Sequence, residues 1–320
     1  MFYSIRHLTK FRYSKPVSES IMDVRKTPRS EGAQGCLEMQ LNVMPRARVF
    51  YYRDYLGNTI HHFDVPGHHR QLAIVAESLV DVHALPPPPR FLPVEAWREL
   101  DAEVAAGDFW EMLNPSEFAR PSVPLEALAK EMGARRRDDP LSLLYELNSA
   151  IYDWFEYVPK STRVDSPIEE ALGTRSGVCQ DFAHVMIAMV RPLGIPCRYV
   201  SGYLYHDERE VERSSAAASH AWVETFLPEL GWVGFDPTNN RIAGERHIRT
   251  AIGCDYADVP PTRGVYKGKA ESELTVAVSV QLTDGPPPPE QGQTMPEEWQ
   301  AMTAPEPEAE TAQQMQQQQQ

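Results

Sequence analysis

Cysteine is sparse in this 320-residue chain, and its basic side chains are outnumbered by acidic ones. The four cysteines, Cys36, Cys179, Cys197 and Cys254, are widely scattered and form no CxxC pair, which excludes a disulfide framework at this size. Lys and Arg number 31 against 45 Asp and Glu, a net charge of −14 that argues against a nucleic-acid surface, because neutralising phosphates takes a basic patch. Half of that charge lies in residues 283–320, which hold acids but no Lys or Arg, so the remainder is only mildly acidic. No apolar run approaches the roughly 18–20 residues needed to cross a bilayer, and no membrane partner is expected. The first ten residues lack the basic start, apolar middle and cleavage site of a signal peptide, so a cytoplasmic location is the default expectation. What remains is an ordinary apolar content of 42%, enough for one large or two modest globular domains.

The chain divides into four parts. Residues 1–83 read as β: Tyr3, Ile5 and His7 alternate with polar neighbours, Val49 to Tyr55 is aromatic and alternating, and Gly57-Asn58 marks a tight turn. A small antiparallel sandwich or barrel is expected there, with His61, His62, His68 and His69 near a hairpin at its surface. Pro86 to Pro89 makes a stiff boundary, and residues 84–140 hold short helices at 94–106 and 124–134. Residues 141–282 form an α+β core that opens with a helix whose stripe is Leu144, Leu147, Ile151, Trp154 and Phe155 and closes with an alternating strand at 274–282. Residues 206–218 are charged, then rich in Ser and Ala, and read as an exposed loop that is a candidate lid. The segment 283–320, rich in Pro, Gln and Glu, holds too little apolar side chain to offset ordering entropy and is expected to be disordered.

The chemistry gathers around Gly173 to His184. Small and turn-forming residues lead into Cys179, and Phe182, Val185, Met186, Met189 and Val190 then recur at helical spacing until Pro192 and Gly194 stop them. Cys179 thus stands at the first turn of a helix, where unpaired N–H groups and the helix dipole favour a thiolate. The other three cysteines are read as small buried hydrophobes. Downstream, a hairpin centred near Pro228 sets His220 almost opposite Asp236 on the same face, so the carboxylate can orient the imidazole and leave its second nitrogen for the sulfur. Such a trio supports acyl transfer through a thioester, with the Cys179 N–H as one oxyanion donor. Tyr203, Trp222 and Trp232 are candidates for the walls of a substrate groove, although core packing explains them equally well. Asp181 and His184 are expected as a pair on the far side of the helix. A zinc site on Cys179, His184 and His220 is disfavoured, because His184 lies more than a turn along and no fourth ligand is evident; no metal or cofactor is expected.

The blocks Gly177-Val-Cys179-Gln-Asp-Phe-Ala, Gly194 to Tyr203, Ser219-His220-Ala-Trp-Val-Glu224 and Gly231-Trp-Val-Gly-Phe-Asp236-Pro-Thr resemble the bacterial transglutaminase-like superfamily. Residues 1–82, with Arg53 to Asn58, resemble the β-rich N-terminal region that accompanies this core, and Asp255 to Gly264 fits the same pairing. The resemblance implies a papain-like α+β core with Cys179, His220 and Asp236 as its triad, acting on a peptide or protein. Hydrolysis of a peptide or isopeptide amide is the first expectation and amine transfer from a glutamine carboxamide the second. A non-catalytic peptide-binding scaffold is the competing class, and the oligomeric state is open.

Overall fold

The computed structural model describes residues 1–207, 209 and 212–285. The N-terminal part is built on two long antiparallel strands, β1 (Phe2–Val24) and its central partner β4 (Thr59–Val82), with β2 (Gln34–Met44) and β3 (Val49–Arg53) paired along successive halves of β4. Register shifts between Arg12 and Glu19 bend β1 around Lys15-Pro16, where proline has no N–H to give the ladder. Tyr13 from before the bend shares a core with Met22 and Val24 from after it, together with Phe63, Val65, Leu72 and Ile74 of β4. The halves therefore fold toward one interior. No hairpin interrupts β4 at His68-His69, and His69 is buried against the Ser20 hydroxyl at 2.9 Å rather than at the surface.

Four helices follow: α1 (Ala96–Ala106), α2 (Trp110–Leu113), α3 (Val123–Glu131) and α4 (Pro140–Trp154). Asp139 caps α4, its Oδ1 accepting from Leu141 N and Ser142 N at 3.0 Å each, and Pro140 occupies the first helical position, where a missing N–H is harmless. The stripe Leu144, Leu147 and Ile151 is fully buried. Next come β5 (Glu156–Tyr157), α5 (Ile168–Thr174), β6 (Ser176–Gly177) and α6 (Cys179–Val190). The sequence marked α6 as a helix with one buried stripe, yet every residue from Gln180 to Val190 is buried. It is covered on all sides, by α3, α4 and α5 and by the sheet that follows.

That second sheet runs β10-β9-β8-β7-β11, from β7 (Cys197–Leu204), β8 (His220–Leu227), β9 (Gly231–Asp236), β10 (Arg241–Ile242) and β11 (His247–Gly253). The last two strands, β12 (Thr262–Lys267) and β13 (Ser272–Thr283), leave it and pair antiparallel with β1. The strand that closes residues 141–282, readable from its alternation as an edge or interdomain strand, pairs with the N-terminal sheet. Asn58 couples the two sheets: Asp54 accepts from Leu56 N, Asn58 N and Asn58 Nδ2, which shapes the turn so that Asn58 meets Ile252 N at 2.9 Å and Ile252 O at 2.8 Å. The tail expected to be disordered lies, from residue 286 on, outside the described residues. Among the described residues no helix is long and apolar enough to cross a membrane.

Candidate active site

Two short parallel strands, β5 and β6, deliver the chain to Val178, which is extended and precedes the first helical residue, Cys179. Asp181 folds back on this start, its Oδ2 accepting from Val178 N at 2.8 Å and from Thr162 Oγ1 at 2.6 Å. Valine offers no acceptor in return, so only one arm of a capping box forms. The carboxylate approaches so closely that a Cβ on Gly177 would stand 2.8 Å from it, which requires glycine there. Burial raises the Asp181 pKa, and the bonds from Thr162 and Val178 oppose that rise. Cys179 itself is half-buried. Its charge is felt by Tyr157 and Tyr199, whose hydroxyl pKa values rise first through burial and then through this neighbour. Tyr157 had no signal in the sequence, because its strand is two residues long.

In the β8–β9 hairpin Val223 faces Phe235 and Leu227 faces Gly231. The loop Pro228-Glu229-Leu230 has three residues, with Glu229 at φ 60° and Gly231 at φ 68°, and this sets the register two residues away from the one expected. Asp236 consequently falls level with Trp222, diagonal to His220. Parity keeps both on one face, and His220 Nε2 donates to Asp236 Oδ2 at 2.8 Å. His220 is buried and its Nδ1 forms no bond of ordinary geometry. Cys179 nevertheless lies near enough to favour the charged form of the ring. Burial lowers the imidazole pKa, but Asp236 and then Cys179 outweigh it and hold His220 up at about 10. Asp236 lies well below the ordinary carboxylate range: burial would raise it, and His220 and His247 pull it down.

Asp236 is saturated with donors. Its Oδ1 accepts from Thr238 N at 3.1 Å and Asn239 N at 3.3 Å, while Oδ2 also accepts from Asn239 Nδ2 at 2.8 Å and His247 Nε2 at 3.2 Å. Asn239 in turn accepts from Arg213 N at 2.9 Å and so ties the 212–214 segment to the carboxylate. Ser214 and the side chain of Glu212 are buried, so this part of the expected exposed loop is anchored: Glu212 pairs with His206, Arg241 and Arg246. Neither Asn239 nor His247 was singled out from sequence. The position of Asn239, three after Asp236 in a turn, was a usable signal; His247 had none.

Ligand atoms of His220, Asp236 and His247 lie within 4.8 Å of one another, the spacing of a small cation site. The hydrogen bonds assign these atoms otherwise. His247 Nδ1 accepts from Gly244 N at 3.3 Å, which leaves its proton on Nε2, directed at Asp236. His184 belongs to neither this group nor the sulfur. It stacks on Phe118 at 5.4 Å, its Nε2 accepts from Tyr256 N at 3.2 Å, and burial pushes its pKa down to about 3. The expected Asp181–His184 pair is not formed.

The three groove candidates do not share one wall. Tyr203 is buried and bonds His7 Nδ1 at 3.0 Å, part of the packing between sheets. Trp222 is fully buried with its ring 6.0 Å from His220, and it lies over Gly202, where a Cβ would meet the indole at 2.7 Å. Trp222 and Trp232 line a cavity of about 550 Å³ shared with His247 and the Pro86–Pro88 segment, but neither Cys179 nor His220 lines it. Arg198 stacks on Trp232 at 4.2 Å and pairs with buried Glu224 at 2.6 Å. Among the remaining cysteines only Cys197 is fully buried; Cys36 and Cys254 are half-buried, against expectation.

A family model described as the transglutaminase-like superfamily matches residues 126–237, and one described as the bacterial transglutaminase-like N-terminal region matches residues 3–81. An uncharacterized protein of Mycobacterium tuberculosis is 36% identical over 299 residues, spanning 88% of this chain and 93% of the relative. A protein-glutamine gamma-glutamyltransferase of Pseudomonas aeruginosa is 28% identical over 191 residues, 56% of this chain and 28% of that protein. The fold is shared with a crystal structure described as a "Putative Cysteine Protease" from Cytophaga hutchinsonii, at TM-score 0.71 and 24% identity, covering 90% of this chain and 93% of that one.

Proposed function

The chain belongs to the transglutaminase-like superfamily, and from that premise we propose that it is a thiol acyl-transfer enzyme in which Cys179, His220 and Asp236 cleave an amide of a peptide or protein. The observation that carries the reading is a buried imidazole bonded at 2.8 Å to a buried carboxylate, with its other nitrogen left to the cysteine at the start of α6. Cys179 Sγ attacks the carbonyl carbon and forms a C–S bond. His220 gives its Nδ1 proton to the leaving nitrogen as the C–N bond breaks, and a thioester remains. Water then attacks the thioester, losing a proton to His220, and the C–S bond breaks to give a carboxylic acid and the Cys179 thiolate beside a protonated His220, as at the start. The N–H of Cys179 lies at the helix start, where it can serve the oxyanion.

Hydrolysis is the preferred outcome because Cys179 is not fully buried, which leaves a thioester there open to water. Amine transfer uses the same residues with an amine in place of water, the chemistry named for the Pseudomonas relative.

The test is competitive alkylation near neutral pH with mass-spectrometric mapping, followed by trapping of an acyl adduct from cell extract. Burial pushes Cys36 up to about 11 and Cys197 and Cys254 up to about 12, so those three thiols should react slowly. Cys179 is expected to label first, and His220→Ala to slow it. Equal labelling of all four cysteines would sink the enzyme reading and leave a peptide-binding scaffold. An adduct that decays in water alone supports hydrolysis, and one that persists until an amine is added supports transfer.

A further inference from the structure

We propose that His247 is a positioning residue of this site, a second imidazole whose N–H fixes the orientation of Asp236 and so the aim of His220. The inference rests on the acyl-transfer reading above. His247 opens β11, two strands away from β8 with β7 between them, and its ring passes edge-on to Trp222 at 5.1 Å to reach the carboxylate. Its tautomer is fixed from behind: Gly244 N donates to Nδ1 at 3.3 Å, so Nε2 carries the hydrogen and donates to Asp236 Oδ2 at 3.2 Å. The same oxygen accepts from His220 Nε2 at 2.8 Å and Asn239 Nδ2 at 2.8 Å. Three donors on one oxygen and two backbone N–H groups on the other leave the carboxylate one orientation, in which the His220 bond is held with no freedom to swing.

The surroundings preserve the neutral form that this role needs. His247 is buried, Trp222 meets it edge-on at 5.1 Å, and burial is the largest cause of its lowered pKa; Asp236 only partly opposes that, and the charges of His220 and then Arg241 disfavour a further positive charge. A charged His247 would compete with His220 for the single carboxylate. A neutral one only donates, and the negative charge stays available to the imidazole facing the sulfur.

The experiment compares His247→Phe, which keeps a ring and removes the N–H, with His247→Gln, whose amide N–H can still reach Asp236. In His247→Phe, acylation of Cys179 by p-nitrophenyl acetate is expected to fall about 10- to 100-fold in kcat, with KM changed less than about threefold, the size of one hydrogen bond to a charged group. His247→Gln should recover most of that loss. A His247→Phe rate equal to the parent, or a folded His247→Gln as slow as His247→Phe, overturns the proposal. Should the Phe variant not fold, the parent protein decides: long-range proton–nitrogen NMR must find His247 as the neutral Nε2–H tautomer between about pH 6 and 8. An Nδ1–H or a doubly protonated ring overturns it. If His220→Ala also leaves acylation unchanged, the acyl-transfer reading itself has failed, and that result is distinct from a silent His247.

Discussion

Asp236 decides the protonation of its neighbours. Burial alone would leave His220 neutral, and the carboxylate at 2.8 Å reverses that, so that the imidazole keeps its proton up to about pH 10. Asp236→Asn preserves shape and removes the charge. The His220 pKa then rests on burial opposed by Cys179 alone and should fall well below about 10. On the proposed mechanism the alkaline limb of kcat/KM therefore moves down by several pH units, and turnover falls by about 10²- to 10⁴-fold, as expected for loss of a general acid. A pH–rate profile checks both; an alkaline limb that stays near pH 10 would remove Asp236 from the account. This much of the site was legible because Cys179 is one of four cysteines and His220 one of ten histidines, both in strongly patterned surroundings, and Asp236 ends the strand that returns beside His220. His247 was not, since nothing local distinguishes a histidine at a strand start. Its importance is created by the strand order, which brings β11 beside β7 and so within reach of the β8–β9 hairpin.

Helix α6 was read correctly as to its start and its end, and wrongly as to its surroundings. Periodicity reports which residues face inward when one side meets solvent, and it is silent when both sides are covered. The hairpin erred by two residues for a similar reason: the positive φ of Glu229 makes a three-residue loop, and nothing in a glutamate announces a left-handed conformation. Same-face geometry survived, because a shift of two leaves strand parity unchanged. The cap of α6 carries the prediction that belongs here. Asp181→Ala removes the acceptor from Val178 N and strands the Thr162 hydroxyl, at a cost of about 1–2 kcal/mol in stability. Because Cys179 is the next residue after Val178, its alkylation should also slow, whereas the mutation of an unrelated surface acid would leave it alone. Urea unfolding together with labelling kinetics separates the two effects. Unchanged labelling in a destabilised protein would mean that the cap supports the fold without aiming the sulfur.

The two sheets are joined by a buried polar seam that also has a pH signature. Lys26 is almost fully buried and its Nζ donates to Thr9 Oγ1 at 2.5 Å; Thr9 Oγ1 lies 3.3 Å from His7 Nε2, and His7 Nδ1 meets the Tyr203 hydroxyl of β7 at 3.0 Å. This is where Tyr203 serves, between sheets rather than in a groove. Burial brings Lys26 down to about 7 from 10.5, and His7 below its usual value through burial and then the neighbouring ammonium. The unfolded chain thus holds the Lys26 proton in a window, between about pH 7 and 10.5, where the folded chain has released it. Stability must rise with pH across that window, and the full penalty of a buried charge is present below it. Lys26→Met keeps the length and the packing of the stem, removes the charge, and leaves Thr9 its bond to His7. At pH 7 the variant should be more stable than the parent by an amount on the order of a few kcal/mol, shrinking as the pH approaches 10. Urea midpoints measured at pH 6, 7, 8, 9 and 10 check this. A Lys26→Met protein less stable than its parent at every pH would mean that the Lys26–Thr9 bond outweighs the desolvation of the amine, and that the seam depends on a cation its surroundings disfavour.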